Sequence, residues 1–207
     1  MSDFTLKNIR IKIPNLEIEL SGKAEEYFDF LKSNTDITEE YLYAHQPSQE
    51  STIPVFSTSS KPIGYLDDSE ETAKTFNILE GPVIVVARKG YAGRLFAVLV
   101  GKLIIHEDAY AVKPKQEVSK KVNLEWFAEH YSEEFQANRT SFWGIGDFPR
   151  EKFKSMRVVI PKLAFQSKSL VIYKKRKQII SNIQNHSKDA EFKIGEVISR
   201  TLEDRKD

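Results

Sequence analysis

The sequence contains no cysteine and no long run of apolar residues. Without cysteine, a disulfide-stabilised fold and a cysteine-ligated zinc site are both excluded. No segment approaches the roughly 18 consecutive apolar residues that a membrane span requires, and the opening stretch MSDFTLKNIR lacks the apolar core of a signal peptide. With 13 Phe and 8 Tyr among 207 residues, the chain can bury a large core. We therefore expect a folded cytoplasmic protein with no membrane partner.

Catalytic and cofactor-binding motifs are also missing. The sequence has no HExxH, no GxSxG, no phosphate-binding loop, no GxGxxG and no [DNS]PP[YFW] tetrapeptide of the kind that adenine methyltransferases carry. The segment His106-Glu107-Asp108 has the residue types of a metal site or a general base, but no second histidine lies near it in the sequence. A structural or ligand-contact role is the simpler interpretation. We expect no catalytic residue, no metal and no cofactor.

Charge is segregated along the chain, although the net charge is only +1. Residues 17–80 are acidic, with 14 acidic and 4 basic side chains. Residues 81–121 are basic, with 3 acidic and 8 basic side chains, and residues 150–177 are more so, with 1 acidic and 10 basic side chains. Such segregation indicates separate faces for separate partners, whereas any single charged run is also explained by an ordinary solvated surface.

The hydrophobic pattern predicts an α/β (α+β) globular domain with a twisted, largely antiparallel sheet and short helices, followed by a protruding C-terminal helix. Strands are predicted at Ile53–Phe56, Gly81–Ala87, Leu95–Val100, Ala109–Lys113 and Met156–Ile160, with two shorter ones between Phe4 and Leu20. Helices are predicted at Ala24–Lys32 with Ser21 as N-cap, at Asn123–Gln136 with Asn123 as N-cap, and at Gln166–Gln184. The pattern further predicts a loop at Asn138–Asp147 and a short strand at Glu191–Arg200.

The most informative segment is ARKGYAGRLF, Ala87–Phe96, which is predicted to form a turn between two strands. Its two glycines let the backbone adopt positive φ and approach a ligand closely. Arg88, Lys89 and Arg94 supply charge and hydrogen-bond donors, and Tyr91 supplies a flat apolar surface with a polar tip. These residue types predict that the turn binds a polyanion. The alternative is that Arg88 and Lys89 only cap the end of the strand and bond within the loop.

Five phrases of the sequence follow one another in the order of a known family. They are IPVFSTSSKPIGYLDD (Ile53–Asp68), GPVIVVARKGYAGRLF (Gly81–Phe96), HEDAYAVKPK (His106–Lys115), VNLEWFAEHY (Val122–Tyr131) and WGIGDFPREKFKSMRVVIPKLAFQ (Trp143–Gln166). Together they resemble a target recognition domain and the start of the conserved helix in the DNA-specificity (S) subunits of type I restriction–modification systems. The resemblance extends from about Phe4 to Asn185, and the combination is far more specific than any single phrase.

The resemblance implies a non-catalytic subunit that reads one half of a bipartite site in double-stranded DNA. Three groups of DNA-contacting residues are then predicted: Arg88, Lys89, Tyr91 and Arg94 on the turn; Thr58, Ser59, Ser60 and Lys61 on the loop after Phe56; and Arg139, Ser141, Phe142 and Trp143 on the loop after the amphipathic helix. The turn is the better candidate for positioning the DNA through phosphates, and the two loops for reading base edges. A core position for Trp143 is an equal alternative.

For the basic helix, the resemblance implies contact with an N6-adenine methyltransferase subunit, with a second copy of the helix and, through the complex, with a restriction subunit. The predicted contact residues are Ile172, Lys175, Arg176, Ile179 and Ile183. Phosphate binding and a solvated face remain alternatives for the basic positions. Family members carry two recognition domains and two helices, so this chain is either a half-subunit that forms a homodimer or a truncated subunit. The implied division is a recognition domain at 1–162, a helix at 163–188 and a short tail at 189–207.

Two functions from other classes remain open on the sequence alone. One is a small enzyme in which His106 and Asp108 carry the chemistry. The other is an interaction module whose basic surface binds an acidic protein. Salt dependence separates the second from DNA binding, because phosphate contacts release counterions.

Overall fold

The computed structural model describes residues 17–34, 37–48, 51–142 and 145–203, with side chains except those of residues 141, 142, 145 and 187–203. The chain divides into two compact units, Met1–Gln166 and Ser167–Asp207. The expected fold class is confirmed: the sheets are mostly antiparallel, the helices of the first unit are short, and a long helix continues through the second. Within the described ranges, no helix is long and apolar enough to cross a membrane. The strand predicted at the start, before residue 17, lies outside the described residues.

The first four-stranded sheet is antiparallel throughout. Its order is β2 (Phe28–Phe30), β9 (Ala109–Pro114), β6 (Val83–Ala87) and β7 (Leu95–Val98). β6 lies inside the sheet, and all five of its residues, VIVVA, are buried. β-branched side chains suit such a fully covered strand because they pack well on a pleated surface. The predicted turn after Ala87 therefore leaves the sheet from a rigid central strand.

The second four-stranded sheet has the order β4 (Gly64–Asp67), β3 (Thr52–Phe56), β8 (Lys102–Ile105) and β5 (Leu79–Glu80), with β3 and β8 parallel. One core cluster combines Val83, Val85 and Phe96 of the first sheet with Phe56 and Leu103 of the second. The two sheets therefore share a hydrophobic core. This packing holds the end of β3, where the loop of residues 57–61 begins, near the end of β6.

Helix α4 (Leu124–Ala137) covers the first sheet beside β7. The Asn123 side chain caps it by accepting a hydrogen bond from Trp126 N at 3.0 Å, as the sequence predicted. Its apolar face carries Phe127 and Phe135, both fully buried. The Phe135 ring lies 5.5 Å from the ring of Phe148, so α4 anchors the chain that leads out of the hairpin described below.

Two strand pairs and the remaining helices complete the described structure. β1 (Ile18–Lys23) pairs with β12 (Arg157–Pro161), and β10 (Thr140–Phe142) pairs with β11 (Ile145–Asp147), both antiparallel. The short helices are α1 (Ala24–Tyr27), α2 (Glu39–Ala44), α3 (Glu70–Thr75) and α5 (Arg150–Ser155). The long helix is α6 (Leu163–Glu203).

The helix predicted at Ala24–Lys32 is wrong beyond its first turn. α1 ends at Tyr27, and the chain continues as strand β2. The N-cap is Lys23 rather than Ser21, and the Glu26 carboxylate accepts a hydrogen bond from Lys23 N at 2.8 Å. The reason is tertiary: Phe28 is buried against Phe127 of α4 with a ring separation of 4.8 Å, and pairing with β9 satisfies the backbone.

Two further predictions are wrong. The segment Asn138–Asp147, predicted to be a loop, contains the hairpin strands β10 and β11. Two contacts outside the strand ladder stabilise the hairpin: Thr140 Oγ1 donates to Asp147 O at 2.9 Å, and Asp147 forms an isolated bridge with Lys89. The strand predicted at Glu191–Arg200 is part of α6. Ile194 and Ile198 of that segment and Leu202 just after it recur every four residues, a helical spacing that the local alternation of apolar and polar residues obscures.

Candidate nucleic-acid interface

The turn between β6 and β7 is held by backbone hydrogen bonds. Gly93 N donates to Ala87 O at 2.8 Å, and Ala87 N donates to Arg94 O at 2.9 Å. Gly90 and Gly93 have φ values of 63° and 85°, in the left-handed region that favours glycine. The shape of the turn therefore depends on its two glycines and on main-chain atoms, and the side chains at 88, 89, 91 and 94 take no part in these bonds.

Gly93 has a second requirement that Gly90 lacks. A Cβ atom at Gly93 would lie 2.6 Å from Phe135 O and 2.7 Å from Gln136 N, both in the backbone of α4. A Cβ atom at Gly90 would meet nothing closer than Thr58 Cγ2, at 4.0 Å. Gly93 thus lets the turn lie directly on α4, whereas Gly90 faces the loop after β3.

Arg88 and Lys89 begin the turn and are held from two sides. Their backbone N–H groups both donate to Asp108 O, at 2.7 Å and 3.1 Å, and Arg88 O accepts from Phe148 N at 2.8 Å. Lys89 Nζ lies 3.0 Å from Asp108 Oδ1, and Arg88 Nε lies 3.9 Å from Asp147 Oδ1. The two cations therefore start in fixed backbone positions, and each has a carboxylate partner from a different part of the chain.

Tyr91 and Arg94 occupy the outer part of the turn. The Tyr91 side chain is 62% exposed, which is high for an aromatic residue. The Arg94 guanidinium carbon lies 5.4 Å from the centre of the Tyr91 ring, a cation–π distance. This contact joins a charged donor to a flat exposed surface, a combination that suits a nucleic acid backbone or base.

The second predicted group lies on the loop after β3. Ser59 Oγ accepts from Lys61 N at 3.3 Å and donates to Lys61 O at 3.0 Å, so this loop is closed locally. Ser60 and Lys61 are exposed, and Thr58 faces Gly90 across the 4.0 Å approach described above. The structure therefore brings the second group beside the turn.

The third predicted group lies on the hairpin β10–β11. A Cβ atom at Gly146 would lie 3.0 Å from Arg139 Cδ and 3.3 Å from Ala92 Cβ, so the exposed Arg139 reaches the turn. Ser141 and Phe142 lie in β10, but their side chains are among those not described, and Trp143 lies outside the described residues. Three segments far apart in the sequence thus meet around residues 88–94.

His106 occupies a structural position beside this surface. Its Nδ1 accepts a hydrogen bond from Asp108 N at 3.1 Å and lies 3.6 Å from Asp108 Oδ2. The ring is largely buried, with 15% of its side chain exposed. Among the described residues, no group of three or more His, Cys, Asp or Glu is arranged to hold a metal ion.

A cleft of about 320 Å³ lies beside the turn and is lined in part by Arg88, Tyr110, Asp147 and Arg150. The Tyr110 side chain is part of this lining, and its hydroxyl has no hydrogen-bond partner among the described residues. Burial raises the pKa of Tyr110, an effect that nearby Arg150 opposes and Asp147 reinforces. The hydroxyl therefore stays protonated at neutral pH.

The predicted helix residues lie on α6 in the second unit. Ile172, Ile179 and Ile183 are 56%, 58% and 62% exposed. Steps of seven and four residues place them on one side of the helix. Lys175 and Arg176 are exposed as well. An apolar stripe on a charged helix is typical of a helix that packs on a partner.

Asp147 and Gln166 were not singled out from the sequence, and Asp108 was considered there only for metal binding or catalysis. Asp108 and Asp147 are the carboxylate partners of the turn, and charge alone does not reveal partners so distant in sequence. Gln166 is fully buried: its Nε2 donates to Lys121 O at 2.7 Å and Pro161 O at 2.6 Å, and its Oε1 accepts from Asn123 N at 2.6 Å. Its place at the end of the phrase IPKLAFQ was the available signal.

The sequence matches no protein-family model and no curated protein sequence. The fold matches solved structures. The S subunit of a type I restriction–modification system from M. genitalium matches with a TM-score of 0.54 and 15% identity, over 82% of this chain and 43% of that chain. A structure from work on the assembly and conformational transition of the type I R-M system matches with a TM-score of 0.63 and 9% identity, over 86% of this chain and 43% of that chain. The HsdS subunit from Thermoanaerobacter tengcongensis matches with a TM-score of 0.53 and 9% identity, over 83% of this chain and 41% of that chain.

These matches bear directly on the resemblance seen in the sequence. At 9–15% identity they establish the fold alone. The chain covers less than half the length of each of the three proteins. The resemblance is thus confirmed at the level of the fold: the chain has the fold of about one half of a type I specificity subunit.

Proposed function

We propose that this chain is a non-catalytic DNA-specificity subunit that binds double-stranded DNA through the surface around residues 88–94. The observation that carries the proposal is the convergence of three chain-distant polar segments on one backbone-fixed turn, in a fold shared with type I S subunits. The half-buried Arg94 and the exposed Lys61 and Arg139 bring cations to this surface from each of the three segments.

The chemistry of the surface divides into two roles. Arg88, Lys89 and Arg94 lie on the fixed turn, and their charges suit phosphates, which position a duplex without reading its sequence. The hydroxyls of residues 58–60 and the guanidinium of Arg139 belong to the two segments that approach the turn, and we assign these groups to the base edges. A bidentate contact of Arg139 with guanine would be worth about 1–3 kcal/mol of discrimination.

Binding to duplex DNA tests the first half of the proposal. We expect the affinity for a pool of randomised duplexes to fall steeply with salt, and Arg94→Ala to weaken it. Lys74→Ala is the matched control, because Lys74 pairs with Glu70 on α3, away from the turn in sequence. Binding that is absent, or that does not change with salt, would instead favour a module that binds an acidic protein.

Sequence choice is tested in cells. The protein is expressed with a cognate N6-adenine methyltransferase subunit, and methylated sites are mapped. We expect a split adenine-methylated motif that is weakened or lost when Arg88 and Arg94, which position the duplex, are replaced, and that shifts when Arg139 is replaced. An unchanged methylome would refute the proposal. His106→Ala is expected to keep full activity, and a loss of methylation without a loss of DNA binding would point to chemistry at His106 and Asp108.

We further propose that two copies pair through α6, and that this helix also contacts the methyltransferase subunit and, in the assembled complex, a restriction subunit. A dimer would supply the two recognition units that a bipartite site requires, with the two-fold axis of the protein matching that of the DNA. The exposed stripe Ile172, Ile179 and Ile183 supports this pairing.

Light scattering tests the pairing. We expect Ile179→Asp to convert a dimer to a monomer, because a charge in an apolar seam is costly. Ser181→Asp is the control: Ser181 is exposed on the same helix but two residues away, hence on the opposite side. A wild-type protein that is monomeric at all concentrations would refute the dimer while leaving the DNA-binding proposal intact.

A further inference from the structure

We propose that Asp108 and Asp147 are positioning residues that hold Lys89 and Arg88 away from an unselected duplex and release them to phosphates of a correctly seated one. This inference rests on the proposed DNA-binding function and adds a specificity device to it. The two aspartates come from separate segments, the β8–β9 connection and β11, and neither belongs to the predicted DNA-contacting groups.

Asp108 controls Lys89 through both its backbone and its side chain. Its carbonyl oxygen accepts from Arg88 N and Lys89 N, which fixes the start of the turn. Its carboxylate lies 3.0 Å from Lys89 Nζ, but Oδ1 is buried and the contact lacks the alignment of a hydrogen bond. The ion pair is therefore short but poorly directed, which makes it easier to exchange than an aligned one.

Asp147 stands in the same relation to Arg88. Its backbone forms a bridge with Lys89, so β11 runs alongside the start of the turn. Its Oδ1 lies 3.9 Å from Arg88 Nε and is likewise buried without a hydrogen-bond partner among the described residues. Arg88 and Lys89 thus each have one nearby carboxylate that holds the cation by charge rather than by an aligned hydrogen bond.

The exposure of these pairs sets the strength of the effect. The side chains of Arg88, Lys89, Asp108 and Asp147 are 41%, 43%, 31% and 46% exposed. Pairs at such exposure contribute little, so a phosphate at the right place can displace the carboxylate. A duplex that is not seated gains too few contacts to do so, and the two negative charges also repel its backbone. Discrimination between sequences follows.

The test uses the full chain and a pool of fluorescent duplexes with randomised sequence, with binding measured at several salt concentrations. The variants are Asp108→Asn and Asp147→Asn. Glu107→Gln is the matched control, because it removes the same charge next to Asp108, and no ion pair of Glu107 with Lys89 or Arg88 is found among the described residues. Thermal unfolding of each variant checks that the fold is kept.

We expect each Asp→Asn variant to bind the unselected pool about two- to fivefold more tightly. The slope of log K against log salt should steepen by about 0.9 for each cation released to a phosphate. Motifs enriched from the pool should become less specific. The control Glu107→Gln should leave the slope and the motif unchanged.

Three results would overturn the inference. One is an unchanged salt slope in both Asp→Asn variants. Another is an equal effect of Glu107→Gln, which would mean that the aspartates act only through the general negative charge of this region. The third is an Asp108→Asn effect that persists in a Lys89→Gln background, because the aspartate is proposed to act through that lysine. Wild-type protein that binds no duplex at all would refute the proposed function itself, and this device with it.

Discussion

The two glycines of the turn provide a sharp test of the structure. Alanine at either position must adopt positive φ, which costs about 1–2 kcal/mol. At Gly93 the added Cβ would also stand 2.6 Å from Phe135 O, which belongs to the backbone of α4 and cannot rotate away. Relieving that overlap costs about 1–3 kcal/mol more. We therefore expect Gly93→Ala to lower the free energy of unfolding by about 2–5 kcal/mol, and Gly90→Ala by about 1–2 kcal/mol.

Urea denaturation followed by tryptophan fluorescence and by circular dichroism measures both variants. Gly90→Ala is the matched control, since it shares the chain segment and the sign of φ but meets only Thr58 Cγ2 at 4.0 Å. The difference between the two variants isolates the contact between turn and helix. Equal losses of stability would refute the close approach of the turn to α4. A denaturant slope that changes would signal a change in the unfolded or native ensemble instead.

Four other predictions concern polar side chains inside the fold. Tyr131→Phe should cost about 2–4 kcal/mol, because the hydroxyl both donates to and accepts from the backbone of β12, at 2.8 Å and 2.6 Å. Tyr110→Phe should leave stability unchanged or raise it by up to about 1 kcal/mol, since its hydroxyl has no hydrogen-bond partner among the described residues. Gln166→Leu should cost about 3 kcal/mol through its three lost bonds. Because burial raises the pKa of Tyr110 above its ordinary value of 10.0, the unfolded chain loses this proton first, so stability falls as the pH rises above 10.0, and Tyr110→Phe should reduce this fall.

Chemical denaturation at neutral pH and a pH series of unfolding transitions measure these effects. Gln116→Leu serves as an exposed control for Gln166. Tyr131→Phe and Tyr110→Phe control for each other, because they remove the same atom from a doubly bonded and an unpartnered site. Equal effects of the two tyrosine changes would contradict the described hydrogen bonding. An alkaline transition that Tyr110→Phe leaves unchanged would show that other groups dominate above pH 10.0.

Local sequence patterns were sufficient to predict the features that neighbouring residues determine. The run VIVVA predicted a buried strand, Asn123 predicted the N-cap of helix α4, and the glycines of ARKGYAGRLF predicted the turn. These features depend on neighbouring residues, through side-chain branching, a capping hydrogen bond and permissive φ.

Tertiary partners decided the rest, and the sequence alone does not name them. The segment after Tyr27 became a strand because β9 offers backbone partners and Phe127 a ring to pack against. The loop after Asn138 became a hairpin because Asp147 bridges to Lys89. The candidate site was predictable as three groups of residues. That the loop of Thr58 and the hairpin of Arg139 both approach this turn was not, because nothing in the local sequence records which distant segments will meet.

The bonds that fix the turn join main-chain atoms, at Ala87, Arg88, Lys89, Gly93 and Arg94. Its path therefore does not depend on which side chains occupy 88, 89, 91 or 94, provided that the glycines at 90 and 93 are kept. A mutation at these positions changes the chemistry of the surface while the backbone keeps its shape. Such a surface can acquire new ligand preferences by single substitutions without passing through unfolded variants. Its ligand specificity and its stability can therefore evolve independently.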